Sequence, residues 1–144
     1  MQLFKKIELE DSLPVGWGIQ AMVASHDGAQ GSTAQRIGNL GGRVTHHLEL
    51  YDALSALMDD PRAAHVLVVD CDGYGGLAIG RRAFAMLSEE VERFPVILIS
   101  SECREQTFPI AREAPIVLRA PVSAVALRVA FDKSFRGHSL RMRD

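Results

Sequence analysis

The sequence has few cysteines, no long apolar run and no excess of positive charge, and each absence excludes a class of protein. Two cysteines, Cys71 and Cys103, are too few for a disulfide scaffold in 144 residues. The apolar runs fall far short of the ~20 residues that span a bilayer, and the N-terminus lacks the apolar core of a signal peptide. Sixteen basic and eighteen acidic residues leave a net charge of −2, which provides no field for a nucleic-acid backbone. We therefore expect a cytoplasmic protein with reduced thiols, no membrane span and no direct contact with nucleic acid.

Short apolar strands and amphipathic helices alternate along the chain. Nearly continuous apolar runs are typical of strands that are covered on both faces, and a weaker run indicates one more strand. Residues with helical spacing lie between these runs, and the Gly41-Gly42 pair predicts the end of the first helix. The segment 102–113 is the weakest predicted helix, because Pro109 interrupts it. The predicted strands are residues 19–24, 44–48, 66–69, 96–99 and 116–118, and the helical stripes start at Ala34, Leu50, Phe84 and Val122.

This alternation predicts an α/β fold with a parallel sheet and helices on both of its faces. We expect one domain at residues 17–136, preceded by an extension at 1–16 and followed by a polar tail at 137–144. In such a sheet the ligand site forms at the carboxyl ends of the strands. The polar residues expected at that edge include Ser25, His26, Asp27, Asp70, Cys71, Asp72, Ser100 and Ser101.

The stretch HVLVVDCDGYGGLAIG, residues 65–80, resembles the phosphoacceptor region of receiver domains in two-component signalling. An apolar strand ends there in Asp70 and is followed by a glycine-rich turn. Further along the chain Ser100 ends the next strand, and VLRAP at residues 117–121 is similar to the family segment that ends in Lys-Pro. The resemblance implies a flavodoxin-like, doubly wound sheet of five parallel strands in the order 2-1-3-4-5. It also implies Asp70 as a candidate phosphoacceptor and Ser100 as a ligand of the phosphoryl oxygens.

The chain departs from the receiver pattern at three places. Ser25 and His26 occupy the positions where receivers carry a pair of acidic residues. Ala120 stands in place of the family's lysine, so that the ammonium group is missing from the pocket. Val117 replaces the aromatic residue that many receivers carry on the fifth strand. The resemblance therefore implies an atypical, degenerate phosphorylation site.

Carboxylates at this edge of the sheet, with a backbone carbonyl after Asp70 and waters, are candidate ligands for Mg²⁺, a cation that prefers oxygen ligands. The carboxylates belong to Asp27, Asp70 and Asp72, and together they make a weak candidate site. The resulting hypothesis is a receiver-like response-regulator domain, not an enzyme, with Asp70 either phosphorylated or left unmodified in a pocket that serves protein–protein interaction. The second version is favoured. The partners implied by the resemblance are a histidine kinase, a phosphotransfer protein or another signalling protein.

The last predicted helix, residues 122–135, is apolar nearly all round. One sheet cannot cover such a helix completely, which favours a partner on its outer side. Receivers often dimerise through their fourth and fifth units, so the sequence predicts a homodimer through this helix.

Two alternatives from other classes stay open at the level of sequence. The first is a metal- or redox-sensing α/β domain that uses His26, Asp70 and the two cysteines as ligands or thiols. The second is a small α/β enzyme that uses the same cluster of acids and hydroxyls. The second alternative lacks a nucleophile elbow, a dinucleotide fingerprint and a phosphate-binding loop, because the Gly-Ser-Thr at residues 31–33 is not accompanied by lysine.

Overall fold

Five short strands pair in parallel to form one sheet in the order β2-β1-β3-β4-β5. The computed structural model describes residues 18–28, 31–109 and 113–135. The strands, in chain order, are β1 (Gln20–Ala24), β2 (Arg43–His47), β3 (Val66–Asp70), β4 (Val96–Ser100) and β5 (Ile116–Arg119). The α-helices of the described part are α1 (Ser32–Asn39), α2 (Leu50–Asp59), α3 (Leu77–Glu90) and α4 (Ala124–Phe135). The predicted α/β class and strand order are confirmed.

The sheet is buried on both faces because successive side chains of its central strands point to opposite sides. In β3, Val66 and Val68 pack into a core layer with α1 and α4, whereas Leu67 and Val69 pack with α2 and α3. All four side chains are fully buried. Burying an aliphatic side chain of this size contributes roughly 1.5–3 kcal/mol. Two helices on each face therefore explain why the strand sequences are continuously apolar.

The first helix ends at the glycine pair, as predicted. Gly42 donates its backbone N–H to the carbonyl of Ile37 at 3.0 Å, and Gly41 donates to Gly38 at 2.9 Å. Gly41 has a φ of 93°, a left-handed conformation that glycine adopts without strain. This pair of bonds is the Schellman arrangement of helix C-termini, and it turns the chain directly into β2.

The predicted helix at residues 102–113 is wrong over the part that is described. Residues 102–109 form turns, and Thr107 makes an antiparallel bridge with Val117, with backbone hydrogen bonds of 3.0 and 3.1 Å. Pro109 lacks a backbone N–H and disfavours helical geometry in the residue before it. The segment instead covers part of the free edge of β5.

Two predicted segments, the extension at residues 1–16 and the tail at 137–144, lie outside the described residues. Within the described part of the chain, none of the helices is both long and apolar enough to cross a membrane.

His65 gives the fold a pH dependence at the edge opposite the candidate site. The backbone N–H of Gln20 donates to Nδ1 of His65 at 2.9 Å, and burial lowers the pKa of this imidazole. The unfolded chain binds a proton near pH 6.5, the ordinary pKa, and the folded chain only at lower pH. The free energy of unfolding therefore falls as the pH drops below about 6.5. The fall ends once the pH lies below the lowered pKa of His65 in the folded state. Urea unfolding across this pH range measures the loss of stability. His65→Gln does not titrate, so the variant should lack the part of the pH dependence that comes from His65. If the variant shows the same pH dependence as the wild type, the assignment to His65 is contradicted.

Candidate functional site

A cleft of about 380 Å³ lies at the carboxyl edge of the sheet. It forms there because the parallel strands all end on the same side, and the following loops diverge. Small side chains leave the space open where β5 ends. The cleft is lined by Ser25, His26, Asp27, Ser32, Thr33, Asp70, Asp72, Gly73, Ile99, Ala120, Pro121 and Val122. Of the polar residues expected at this edge, Cys71, Ser100 and Ser101 are missing from this lining.

Asp70 is the last residue of β3 and is partly buried beneath the first turn of α1. The buried hydroxyl of Thr33 donates to Oδ1 of Asp70 at 3.0 Å. Burial raises the pKa of Asp70 above its ordinary value, although hydrogen bonds from Thr33 and Ser25 partly oppose this effect. The negative charges of Asp27 and Asp72 raise the pKa further. The carboxyl group is thus held by neutral hydroxyls and faces like charges.

Asp72 is exposed and points to the loop after β4. Its Oδ1 accepts a hydrogen bond from the hydroxyl of Ser100 at 2.8 Å, and its two oxygens accept from the backbone N–H of Ser101 at 3.2 and 3.0 Å. Slight desolvation raises the pKa of Asp72, but these hydrogen bonds outweigh it and lower the pKa below its usual range. Asp72 therefore acts as a charged acceptor that ties two loops together.

Ser100 is fully buried, and its hydroxyl already has two partners. Besides donating to Asp72, it accepts the backbone N–H of Glu102 at 3.0 Å, as a capping hydroxyl does. The resemblance implied that this hydroxyl binds phosphoryl oxygens. In the structure it shapes the turn that follows β4, and its binding of phosphoryl oxygens stays a prediction.

Glu102 makes a second connection between the loops after β3 and β4. Its Oε1 accepts the backbone N–H of Leu77, the first residue of α3, at 2.7 Å. A carboxylate at this position caps an unsatisfied N–H and interacts favourably with the positive end of the helix. Gly76 allows this approach, because a Cβ on that residue would lie 2.8 Å from Oε1 of Glu102.

Arg119 holds residues 103–106 of the loop after β4. Its Nε donates to the carbonyl of Cys103 at 3.3 Å, and its guanidinium also donates to the carbonyl of Arg104. The backbone N–H of Arg119 donates to the side-chain oxygen of Gln106 at 3.0 Å. Together with Asp72, these bonds fasten the segment that replaces the predicted fourth helix.

His26 packs against an aromatic ring at the mouth of the cleft. Its ring centroid lies 4.6 Å from that of Tyr74, with the two planes nearly perpendicular. The hydroxyl of Tyr74 donates to the carbonyl of Leu48 at 2.7 Å, which fixes the tyrosine ring. Gly73 lies beneath the imidazole, since a Cβ there would be 3.4 Å from Cγ of His26. His26 thus belongs to an aromatic contact across two loops.

The side chains at the cleft do not fit Mg²⁺. Asp27, Asp70 and Asp72 were its predicted ligands, but among the described residues no three acidic, histidine or cysteine side chains are grouped to hold a metal ion. The carboxylate oxygens of Asp72 are engaged by the loop after β4, and Ser25 and His26 take the positions of the family's acidic pair. The predicted magnesium site is therefore not assembled.

The two cysteines are both buried and unpaired as disulfides. Burial raises the pKa of Cys71 to about 12, so its thiol stays protonated at neutral pH and is a poor nucleophile and metal ligand. Since His26 packs on Tyr74, the described residues do not bring together the ligands that the metal-sensing alternative requires.

Thr33 and Glu102 are the site residues that the sequence analysis missed. Thr33 lies in the Gly-Ser-Thr stretch that lacks the lysine of a phosphate-binding loop. A hydroxyl on the first turn after β1 could have indicated a partner for Asp70, because both lie at the carboxyl edge. Glu102 offered no local signal, since its partner Leu77 is distant in sequence.

Comparisons with known proteins identify similar folds. No family model matches the chain, and no curated protein matches its sequence. A Burkholderia pseudomallei protein described as pilus assembly-related is similar in structure, with a TM-score of 0.60 and 24% identity over 81% of this chain and 88% of that one. A mutant of the anti-anti-sigma factor PhyR from Bartonella quintana also has a TM-score of 0.60, with 15% identity over 99% of this chain and 58% of that chain. Strand order and these likenesses define a flavodoxin-like domain with the receiver fold.

Proposed function

We propose that this chain is a receiver-type signalling domain that acts by binding another protein, with Asp70 left unphosphorylated. The observation that carries the proposal is the environment of Asp70, whose carboxylate accepts a hydrogen bond from the Thr33 hydroxyl and faces the negative charges of Asp27 and Asp72. Attack of a carboxylate on phosphorus requires that the negative charge between them be neutralised. Among the described residues, the lining of the cleft contains no lysine or arginine, and no three acidic, histidine or cysteine side chains are grouped to hold a metal ion.

The bonds of the loop after β4 support the same proposal. Phosphorylation switches act by shifting a segment between two arrangements. In this chain Asp72 and Arg119 bond to backbone groups of the segment at Ser101 and Cys103, and Glu102 on the segment accepts the backbone N–H of Leu77. A surface that is fastened in this way is suited to constitutive recognition of a signalling partner, such as a histidine kinase or a phosphotransfer protein.

The experiment that tests this function is incubation with a small phosphodonor and Mg²⁺, followed by measurement of the intact mass. We expect the mass to stay unchanged, because no described side chain of the cleft lining carries a positive charge that would neutralise the pocket. Asp70→Asn is the matched control, since it removes the acceptor with little change in shape. A phosphoryl adduct that appears on the wild type and is absent from the control would overturn the proposal.

The outer face of α4 supports self-association as part of this function. Val125 is 72% exposed and Val129 is 37% exposed, four residues further along the same face. Apolar residues at this spacing suit a second copy of the helix. We propose a homodimer through α4.

Val125→Asp should shift the dimer towards the monomer, because it places a charge in an apolar contact. Sedimentation velocity over a range of concentrations measures this shift. Stability of the monomer should change by less than about 0.5 kcal/mol, since the side chain is exposed. A wild type that remains monomeric at high concentration would contradict the dimer.

A further inference from the structure

The cleft beside Asp70 combines one partly buried carboxylate with an apolar wall. The wall is made by Ile99, Ala120, Pro121 and Val122, and the part of the lining that the structure describes includes no lysine or arginine. The cleft has a volume of about 380 Å³, which is sufficient for a long side chain and its solvent.

Charge in the cleft is unbalanced. Desolvation of a carboxylate is unfavourable unless a cation or hydrogen bonds compensate for it. Within the described part of the chain the Thr33 hydroxyl donates to Asp70, and the negative charges of Asp27 and Asp72 raise the pKa of Asp70. A positive group that entered the cleft would gain an attraction which no described side chain provides.

The shape of the cleft favours a particular cation. A long side chain with a charged end packs its aliphatic stem on apolar surface, while its charged group contacts a polar group. Oδ1 of Asp70 already accepts from Thr33, so that the forked, two-bond arrangement of a guanidinium is less well matched than a single ammonium.

We infer that the cleft is the docking point for a lysine side chain on the surface of the partner protein. The ammonium group would lie on Asp70, and the four-carbon stem would pack on Ile99, Pro121 and Val122. This inference rests on the proposed function, because it names the chemistry of the partner that such a binding domain recognises.

The first test uses a short peptide, acetyl-Gly-Lys-Gly-amide, titrated into the full chain and followed by amide chemical shifts. We expect saturable shifts that cluster around the cleft. Affinity should fall about tenfold in Asp70→Asn, the loss expected for a hydrogen bond to a charged group. The same peptide with an acetylated lysine keeps the stem and lacks the charge, so it should produce no saturable shifts. Equal binding of the two peptides would overturn the inference.

The second test places the ammonium within the chain itself. Ala120→Lys adds a lysine at the cleft wall, and Ala120→Met is the matched control with a similar stem and no charge. The melting temperature of the lysine variant should exceed that of the methionine variant when Asp70 is present, and the two should be equal in the Asp70→Asn background. The lysine variant should also lose binding of the free peptide. Equal stability in both backgrounds would contradict the inference.

The results separate this inference from the proposed function. If the peptide fails to bind and the mass stays unchanged after phosphodonor treatment, lysine docking is refuted but the proposed function is not. A phosphoryl adduct on Asp70 would refute the proposed function, whatever the peptide does.

Discussion

Gly80→Ala should destabilise the fold by about 1–3 kcal/mol, as expected for overpacking of a tight core. Gly80 lies on the buried side of α3, where a Cβ would be 2.4 Å from Sγ of Cys71 and 3.2 Å from Cδ2 of Leu98. Cys71 is fully buried, so its thiol has little room to rotate away. Urea unfolding measures the loss of stability.

Two further variants make this prediction specific to the contact. Cys71→Ala removes the sulfur, and in combination with Gly80→Ala it should recover most of the lost stability. Gly38→Ala is the matched control, because Gly38 is an exposed helical glycine of α1 whose Cβ would meet nothing within 4 Å. That control should be neutral or stabilising by up to ~1 kcal/mol. If the double variant is no more stable than Gly80→Ala alone, the contact does not account for the loss.

Thr33→Val should cost about 1–3 kcal/mol at neutral pH, because it removes the hydrogen bond that the Thr33 hydroxyl donates to the partly buried carboxylate of Asp70. The change preserves the shape of the side chain and removes a hydrogen bond of 3.0 Å. Loss of the Thr33 donor raises the pKa of Asp70 further. Once Asp70 is protonated, its carboxyl group no longer carries the negative charge that the hydrogen bond stabilises. The penalty should therefore shrink as the pH falls through the pKa of Asp70.

Thr33→Ser, which retains the hydroxyl, should keep most of the stability. In the Asp70→Asn background the cost of Thr33→Val should be smaller, and a double-mutant cycle measures the difference. A cost that is the same at all pH values and in both backgrounds would show that Thr33 contributes through packing alone.

The fold could be predicted from the sequence because its signals are local and repeated. Continuous apolar strands, helical stripes and the glycine pair Gly41-Gly42 each depend on neighbouring residues. The segment at residues 102–113 lacks such agreement. Its composition is compatible with a helix, but Pro109 disfavours one. The bridge between Thr107 and Val117 could not be predicted locally, because Val117 lies outside the segment.

The site could be predicted only in part, because its residues meet through tertiary contacts. Sequence position placed Asp70 and Ala120 at the same edge, and both line the cleft. The pairing of Asp70 with Thr33 depends on the path of the loop between β1 and α1, and the pairing of Glu102 with Leu77 joins two separate loops. Neither contact follows from periodicity or from a turn signal.

The proposed function requires that the cleft bind no Mg²⁺ and that Asp70 stay unphosphorylated. The most direct measurement is a titration of the protein with Mg²⁺, followed by backbone amide shifts, with Asp70→Asn as the control. The account predicts only small, non-saturating shifts that are the same in the wild type and in the control. Saturable shifts that cluster at Asp70, Cys71 and Asp72 and disappear in Asp70→Asn would contradict it.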